Sequence, residues 1–174
     1  RGDALGQIGM SGRAAFPHLH LSLRKDGAHI DPFDPDGKIE CKAPDARTLW
    51  ATPMPYQPGS VLDVGFADHV PSYEAVKIGH SAVENMQRDA DALVLFGYAF
   101  GGRVGDQLNL VMLGPTGVVI ERTEPLNKAQ AQFFRAIGKR TPPGGWPAGR
   151  YQGVVTLLRD GAPVDQMRTT VTLR

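Results

Sequence analysis

From Ser60 to the end of the chain, short segments in which apolar and polar residues alternate are separated by strong turn sequences. Alternation with a period of two is typical of a β-strand that buries one face. Gly101-Gly102, Gly114-Pro115, Pro142–Gly145 and Asp160-Gly161 supply the turns. The predicted strands are Val61–Ala67, Ala90–Phe100, Gln107–Leu113, Gly117–Arg122, Ala129–Ile137, Arg150–Arg159 and Val164–Leu173. About seven strands in a segment of this length predict an all-β fold, a seven-stranded immunoglobulin-like β-sandwich.

Two segments of this region leave alternatives open. Glu74–Asp89 is read as a loop with one helical turn, and Ala129–Ile137 could also form a short helix because Ala, Gln and Arg favour one. Tyr151 follows Gly149 at the entry to the penultimate strand, where such sandwiches place a tyrosine corner. The aromatic residues are expected in the core or at this corner: Phe96, Tyr98, Phe100, Phe133, Phe134, Trp146 and Tyr151.

The first 35 residues predict a β-hairpin. Leu19, Leu21 and Leu23 alternate with His18, His20 and Ser22, a period of two, and Leu19 is expected to pack in a core. Asp26-Gly27 suits the positive φ angles of a type I′ turn. The segment from His29 to Asp31 is the return strand, which Pro32 closes.

Proline then dominates the sequence from Asp34 to Gly59, where fixed φ angles and lost N–H donors predict a surface linker. Leu49-Trp50 is a candidate apolar anchor for it. The predicted division is a first domain over residues 1–39, a linker over 40–59 and the sandwich over 60–174.

Composition excludes two classes of partner. A net charge of +1 argues against a general nucleic-acid binder, which needs many unpaired Lys and Arg residues. No apolar run approaches the ~20 residues that span a bilayer. The single cysteine, Cys41, is either a free thiol or the partner of a cysteine outside this sequence.

Phe16-Pro17-His18-Leu19-His20 is the sequence with the clearest chemical content. On a strand, residues i and i+2 share a face, so one imidazole could bind a metal while its neighbour faces bound water or substrate. Five histidines in 174 residues produce such a pair by chance roughly one time in seven, so the surrounding residues must decide its meaning.

Those surroundings form an ordered string: Gly6 to Arg13, then Phe16 to Arg24, then Asp26-Gly27 and Ile30-Asp31-Pro32. The string resembles the end of the lysostaphin/LytM type of zinc metallopeptidase domain, with its G-x-x-G-x-[ST]-G, P-H-L-H, hairpin and closing D-P. The match covers residues 2 to about 33.

The resemblance implies that His20 is a zinc ligand and that His18 is the catalytic histidine beside the metal-bound water. The family's other two ligands, a His and an Asp, lie upstream, whereas the residues before His18 contain no histidine and one acid, Asp3. Zinc (Zn²⁺) binding is therefore expected only with those upstream ligands and with the missing N-terminal half of the domain as a partner. The expected enzyme is the intact parent protein, and this chain alone is expected to be inactive.

By the same resemblance, the substrate is the peptide stems of peptidoglycan, and the protein is a bacterial cell-wall hydrolase of the periplasm or the extracellular space. Two alternatives stay open. A non-catalytic relative would bind the wall or activate a wall amidase, and a β-sandwich module would serve adhesion or glycan binding.

The remaining chemical candidates have ordinary structural readings. His29 is expected about 13 Å from His20 along the hairpin, too far to share a metal, and His69 and His80 are expected in surface loops. Gly101–Asp106 lacks the Lys-Ser/Thr ending of a phosphate-binding loop and is read as a β-turn. A calcium site from Asp89, Asp91 and Asp106 is considered, but a solvated surface is the default.

Overall fold

The computed structural model describes residues 3, 4, 6–14, 16–37, 48–52, 54, 55 and 57–174. The chain divides into two compact units, residues 1–56 and residues 57–174. Cys41 lies outside the described residues, as does much of the predicted linker, so the expectations for both stay predictions.

In the first unit, a short hairpin forms where the sequence predicts it. Strand β1 (Leu23–Lys25) pairs antiparallel with β2 (Ala28–Ile30), and Arg24 lies opposite His29. Asp26 and Gly27 connect the strands with φ angles of 52° and 81°. Positive φ at both positions is the requirement of a type I′ turn, so the hairpin prediction is confirmed.

The first strand of this hairpin is shorter than the sequence predicts. It begins at Leu23, so His18 and His20 precede it in non-strand backbone. The expectation that Leu19 packs in a core is wrong, because its side chain is 80% exposed. No other described strand pairs with residues 16–22, and without a neighbour an alternating sequence has no sheet face to bury.

From Thr48 onwards, the chain lies against the end of the hairpin. The Leu49 amide donates to the Pro32 carbonyl at 2.9 Å, and the Trp50 ring lies 5.7 Å from that of Phe33. Leu49 itself is 53% exposed. Trp50 therefore provides the apolar contact at this anchor, and the Leu49 side chain does not.

The second unit is built almost wholly from antiparallel strands. These are β3 (Ser60–Ala67), β4 (Asn85–Met86), β5 (Ala92–Gly102), β6 (Gln107–Gly114), β7 (Gly117–Pro125), β8 (Gln130–Arg140), β9 (Gly149–Arg159) and β10 (Ala162–Leu173). One sheet has the order β4-β10-β9-β6-β7 and the other the order β3-β5-β8. The two-residue β4 pairs parallel with β10, whereas every other pair is antiparallel.

This order confirms the all-β fold and the two-sheet, immunoglobulin-like arrangement. The chain changes sheet at every connection from β3 to β6, and again from β7 to β8 and from β8 to β9, which gives Greek-key connections. All seven predicted strands are present, and the helical alternative for residues 129–137 is wrong because β8 occupies them. The apolar alternation of that segment prevails over its helix propensity once β5 is available as a partner.

Among the described residues one short helix forms, α1 (Tyr73–Lys77), and it provides the helical turn expected within residues 74–89. Ser72 caps it by accepting a hydrogen bond from the Ala75 amide at 3.2 Å. None of the described residues forms a helix long and apolar enough to cross a membrane.

The core lies between the two sheets. Alternate residues of facing strands point into it, including Phe66 and Leu95 from one sheet and Leu110 and Leu157 from the other. The Tyr151 hydroxyl donates to the Pro147 carbonyl at 3.0 Å, and its ring meets Trp146 edge-on at 6.3 Å. The predicted tyrosine corner is therefore present.

Phe96, Tyr98, Phe133 and Trp146 are buried as predicted, whereas Phe100 and Phe134 are partly exposed.

Candidate metal and catalytic site

His18 is held in one orientation by its own backbone. Its Nδ1 lies 2.8 Å from the Phe16 carbonyl oxygen, and the Phe16 and His18 rings are 5.1 Å apart. A carbonyl can only accept a hydrogen bond, so Nδ1 must carry the proton. In the neutral ring Nε2 is then unprotonated, and the exposed side chain can use it as a base or as a metal ligand.

His20 has a different environment. It is exposed, and no described residue forms a hydrogen bond or ion pair with its ring. Its neighbours Leu19 and Leu21 are both exposed large apolar residues. The ring is consequently accessible to a metal ion, but nothing in the described part of the chain fixes which nitrogen would bind.

His29 belongs to a separate interaction on the hairpin. It lies opposite Arg24, as expected, and its Nδ1 is 3.1 Å from the Ser22 hydroxyl. Ser22 therefore engages one ring nitrogen of His29. That contact gives His29 a role within the hairpin, and its predicted exclusion from the metal site stays a prediction.

The donor set for zinc is incomplete in the described residues. They contain no group of three or more His, Cys, Asp or Glu side chains that could hold a metal ion. A catalytic zinc site uses three protein ligands and one open position. His20 and His18 suit one ligand and one base, so the remaining ligands would have to come from outside this part of the chain.

The titratable residues that the sequence singles out in the second unit are exposed as expected, with one exception. His69, His80, Asp89 and Asp91 are exposed, as predicted. Asp106 is only 2% exposed, so its assignment to a solvated surface is wrong.

Asp106 is buried because Arg159 neutralises it. The guanidinium donates to both carboxylate oxygens, at 2.9 and 2.7 Å, and also to the Gly101 carbonyl at 3.0 Å. These hydrogen bonds hold the pKa of Asp106 below its usual range. Gly101 and Gly102 end β5, and residues 103–106 form the turn to β6, which this ion pair stabilises.

Asp165 is a second structural carboxylate that sequence reasoning missed. It accepts hydrogen bonds from the Ser60 hydroxyl and the Val61 amide, which connects β10 to the start of β3. Burial alone would raise the pKa of Asp165, but these bonds and one from the Gln166 amide outweigh it and lower the pKa. The partners are about a hundred residues apart, so no local pattern signals the contact.

Comparison with known proteins adds little to this geometry. No family profile matches the chain, and no curated protein matches it. Among solved structures, it is similar to a Bifidobacterium dentium beta-glucuronidase determined in complex with coumarin-3-O-glucuronide, at 20% identity and a TM-score of 0.39. That match covers 68% of this chain and 18% of the glucuronidase chain, so the chain spans less than a fifth of its neighbour. A likeness this distant carries no argument about function.

Proposed function

We propose that residues 1–39 are the C-terminal part of a zinc-dependent endopeptidase domain of the lysostaphin/LytM type, which cleaves peptide cross-links of peptidoglycan. The natural protein would act in the bacterial periplasm or outside the cell. The observation that carries this proposal is the ordered string of residues around His18 and His20, in which both imidazoles are exposed and the hydrogen bond to Phe16 leaves Nε2 of His18 free.

His18 has the geometry of a general base. Its Nδ1 carries hydrogen in both protonation states, so the Phe16 carbonyl holds the ring while Nε2 takes up and releases a proton. The imidazolium would also stabilise negative charge that develops on the scissile carbonyl oxygen. Both roles need only an exposed Nε2 in a fixed direction.

His20 would hold the metal, together with a His and an Asp supplied from outside the described residues. A zinc ion at such a site lowers the pKa of its water to about 7 and polarises a carbonyl. The exposed Leu19 and Leu21 beside His20 support an origin for those ligands in further β-structure packed against this face.

The test uses the natural polypeptide that contains residues 1–174. We expect about one zinc per chain by elemental analysis and release of soluble muropeptides from peptidoglycan. His18→Ala should keep the zinc and lower the hydrolysis rate by about 10²–10⁴-fold. His20→Ala should lose both zinc and activity.

His29→Ala is the matched control, since it removes an imidazole from the same hairpin, and it should keep both zinc and activity. If His20→Ala leaves the zinc content unchanged, the ligand assignment is wrong. A natural protein that binds peptidoglycan without zinc and without hydrolysis would instead support the non-catalytic alternative.

A further inference from the structure

The outer face of the β3-β5-β8 sheet is covered along only part of its length. Phe96 and Tyr98 point to this face from β5 and form a small core with Val76 of α1. Val94 is two residues before Phe96 and therefore shares its face. A groove of about 640 Å³ lies at this end of β5, and Val94 is one of the residues that line it.

Small residues form the floor of this groove. Val94 and Gly138 line the groove and pair with each other across β5 and β8. Ala67 of β3 pairs with Val94 in the same row. A Cβ on Gly138 would lie 2.8 Å from Val94 Cγ2 and 2.9 Å from the Leu93 carbonyl oxygen. Any larger residue there would fill the groove, so its depth depends on Gly138.

Charged residues stand at the end of each strand that forms this floor. Asp68 follows β3, Asp91 precedes the central strand β5, and Arg140 ends β8 directly opposite Ala92. Asp68 Oδ1 lies 2.5 Å from His69 Nδ1. Within the described residues, the Asp91 carboxylate and the Arg140 guanidinium form no hydrogen bond or ion pair, although both are exposed at the groove.

We infer that this groove binds a short zwitterionic peptide with small aliphatic side chains. Asp91 on the β5 side suits an ammonium group, with Asp68 of the β3 side already paired with His69 beside it, whereas Arg140 on the β8 side suits a carboxylate. The outer strands of the floor are about 10 Å apart, two strand spacings. An extended dipeptide is about 7 Å long, so the acidic and Arg140 side chains have only about 3 Å left to bridge.

Lys139 does not share this role, although it borders the groove. Its ammonium group donates to the Val119 carbonyl of β7 at 2.6 Å, away from the ligand. Arg140 is therefore the cation that would select for a carboxylate. The inferred site lies within residues 57–174 and is independent of His18 and His20, so either proposal can fail without the other.

The test is titration of the full chain with alanyl-alanine, followed by amide chemical shifts in NMR spectra. We expect shifts at Ala92, Val94 and Gly138 that saturate in a single-site curve. N-acetylation or C-amidation of the peptide should each weaken binding by about five- to tenfold, because each removes one charge-assisted contact.

Two variants assign the contacts. Arg140→Gln should weaken the binding of alanyl-alanine by about five- to tenfold. In this variant the C-amidated peptide should bind as well as the free peptide. Asp91→Asn should reduce the penalty for N-acetylation. Arg168→Gln, which removes an exposed arginine from the other sheet, is the matched control and should bind as the parent chain does.

Three results would each overturn the inference: no shift in the groove at millimolar peptide, equal binding of the doubly capped peptide, or an equal loss in the Arg140→Gln and Arg168→Gln variants. Saturable binding that Arg140→Gln weakens and Arg168→Gln does not would support it.

Discussion

The two units contain the same kind of alternating sequence but make very different use of it. In residues 1–56, no described residue is buried. In residues 57–174, Phe66, Leu95 and Leu110 have no exposed surface at all. The difference shows that alternation gives a segment only the capacity to be a strand. Pairing and burial need neighbouring strands, and β1-β2 has none among the described residues.

The candidate catalytic residues and the buried core lie in different units. The histidines that carry the proposed catalysis lie in the exposed unit, whereas the sandwich uses its strongest polar interaction, the Asp106–Arg159 pair, to hold a turn. A site built on unpaired backbone needs support from elsewhere to keep its geometry. Four measurements test this contrast, from the largest expected effect to the smallest.

Replacement of a leucine by alanine should give the largest difference in unfolding free energy between the two units. Leu110→Ala leaves a cavity between the sheets and should lower the free energy of unfolding of the sandwich by about 3–4 kcal/mol. Leu19→Ala removes an exposed side chain and should change it by less than about 0.5 kcal/mol. Urea denaturation followed by Trp146 fluorescence, in a Trp50→Phe background, measures both. A comparable loss in both variants would mean that the units are not distinct.

Loss of Arg159 should be the next largest effect. Arg159→Met leaves the buried Asp106 carboxylate without its counter-ion and should cost about 3 kcal/mol of unfolding free energy. Adding Asp106→Leu should recover part of that loss, because the uncompensated charge is then gone. Arg168→Met, at an exposed position, is the control. Equal stability of the Arg159 and Arg168 variants would show that the pair does not stabilise the turn.

Two tyrosines of the sandwich allow a smaller comparison. Tyr151→Phe removes the hydrogen bond to the Pro147 carbonyl and should cost about 1 kcal/mol of unfolding free energy. The Tyr98 hydroxyl is buried beside Tyr73, and among the described residues it makes no hydrogen bond of good geometry. Tyr98→Phe should therefore be neutral or stabilising in the same denaturation experiment. Destabilisation by Tyr98→Phe equal to that by Tyr151→Phe would contradict this assignment.

The smallest expected effect concerns Asp165 and the way the free energy of unfolding depends on pH. The folded pKa of Asp165 is lowered, so its contribution is complete above the unfolded value of about 3.9 and is lost as pH falls through the folded pKa. The unfolding free energy of Asp165→Asn should therefore fall less steeply than that of the parent chain as the pH drops below about 4. Denaturation midpoints from pH 7 down to the acid limit of folding measure this slope.

Asp63 provides a control of opposite sign for that slope. Burial raises its pKa against the weaker, lowering effect of the Val64 amide, so the folded state binds a proton more tightly than the unfolded chain. Protonation of Asp63 stabilises the folded state increasingly as the pH falls, and Asp63→Asn removes this contribution. The unfolding free energy of the variant should therefore fall more steeply on acidification than that of the parent chain. The same change of slope in both variants would show that the two carboxylates are not distinguished by their environments.

The elements of the sandwich were predictable because their signals are local. Asp160-Gly161 joins β9 to β10 with positive φ at both residues, as Asp26-Gly27 does in the hairpin of the first unit. The seven long strands of the sandwich show apolar alternation and are separated by turn residues. Ala129–Ile137 shows the limit of such signals, since helix propensity and alternation conflict there. Pairing of β8 with β5 decides in favour of the strand.

The candidate site was predictable only as an order of residue types. His18 and His20 are recognised from their neighbours in sequence, but the hydrogen bond from His18 to Phe16, which leaves Nε2 free, depends on backbone geometry. Asp106 illustrates the opposite error. It reads as a surface acid because its counter-ion is 53 residues away, and only the meeting of β5, β6 and β9 brings Arg159 to it.

The sequence by itself determined the all-β class, the seven long strands, the hairpin turn and the tyrosine corner, since each depends on periodicity or on residues within one turn. Tertiary structure alone decided which carboxylates are buried, where small residues leave a groove and which alternating segments become strands. Those outcomes depend on groups distant in the chain coming within hydrogen-bonding or van der Waals contact, a condition that no local pattern specifies.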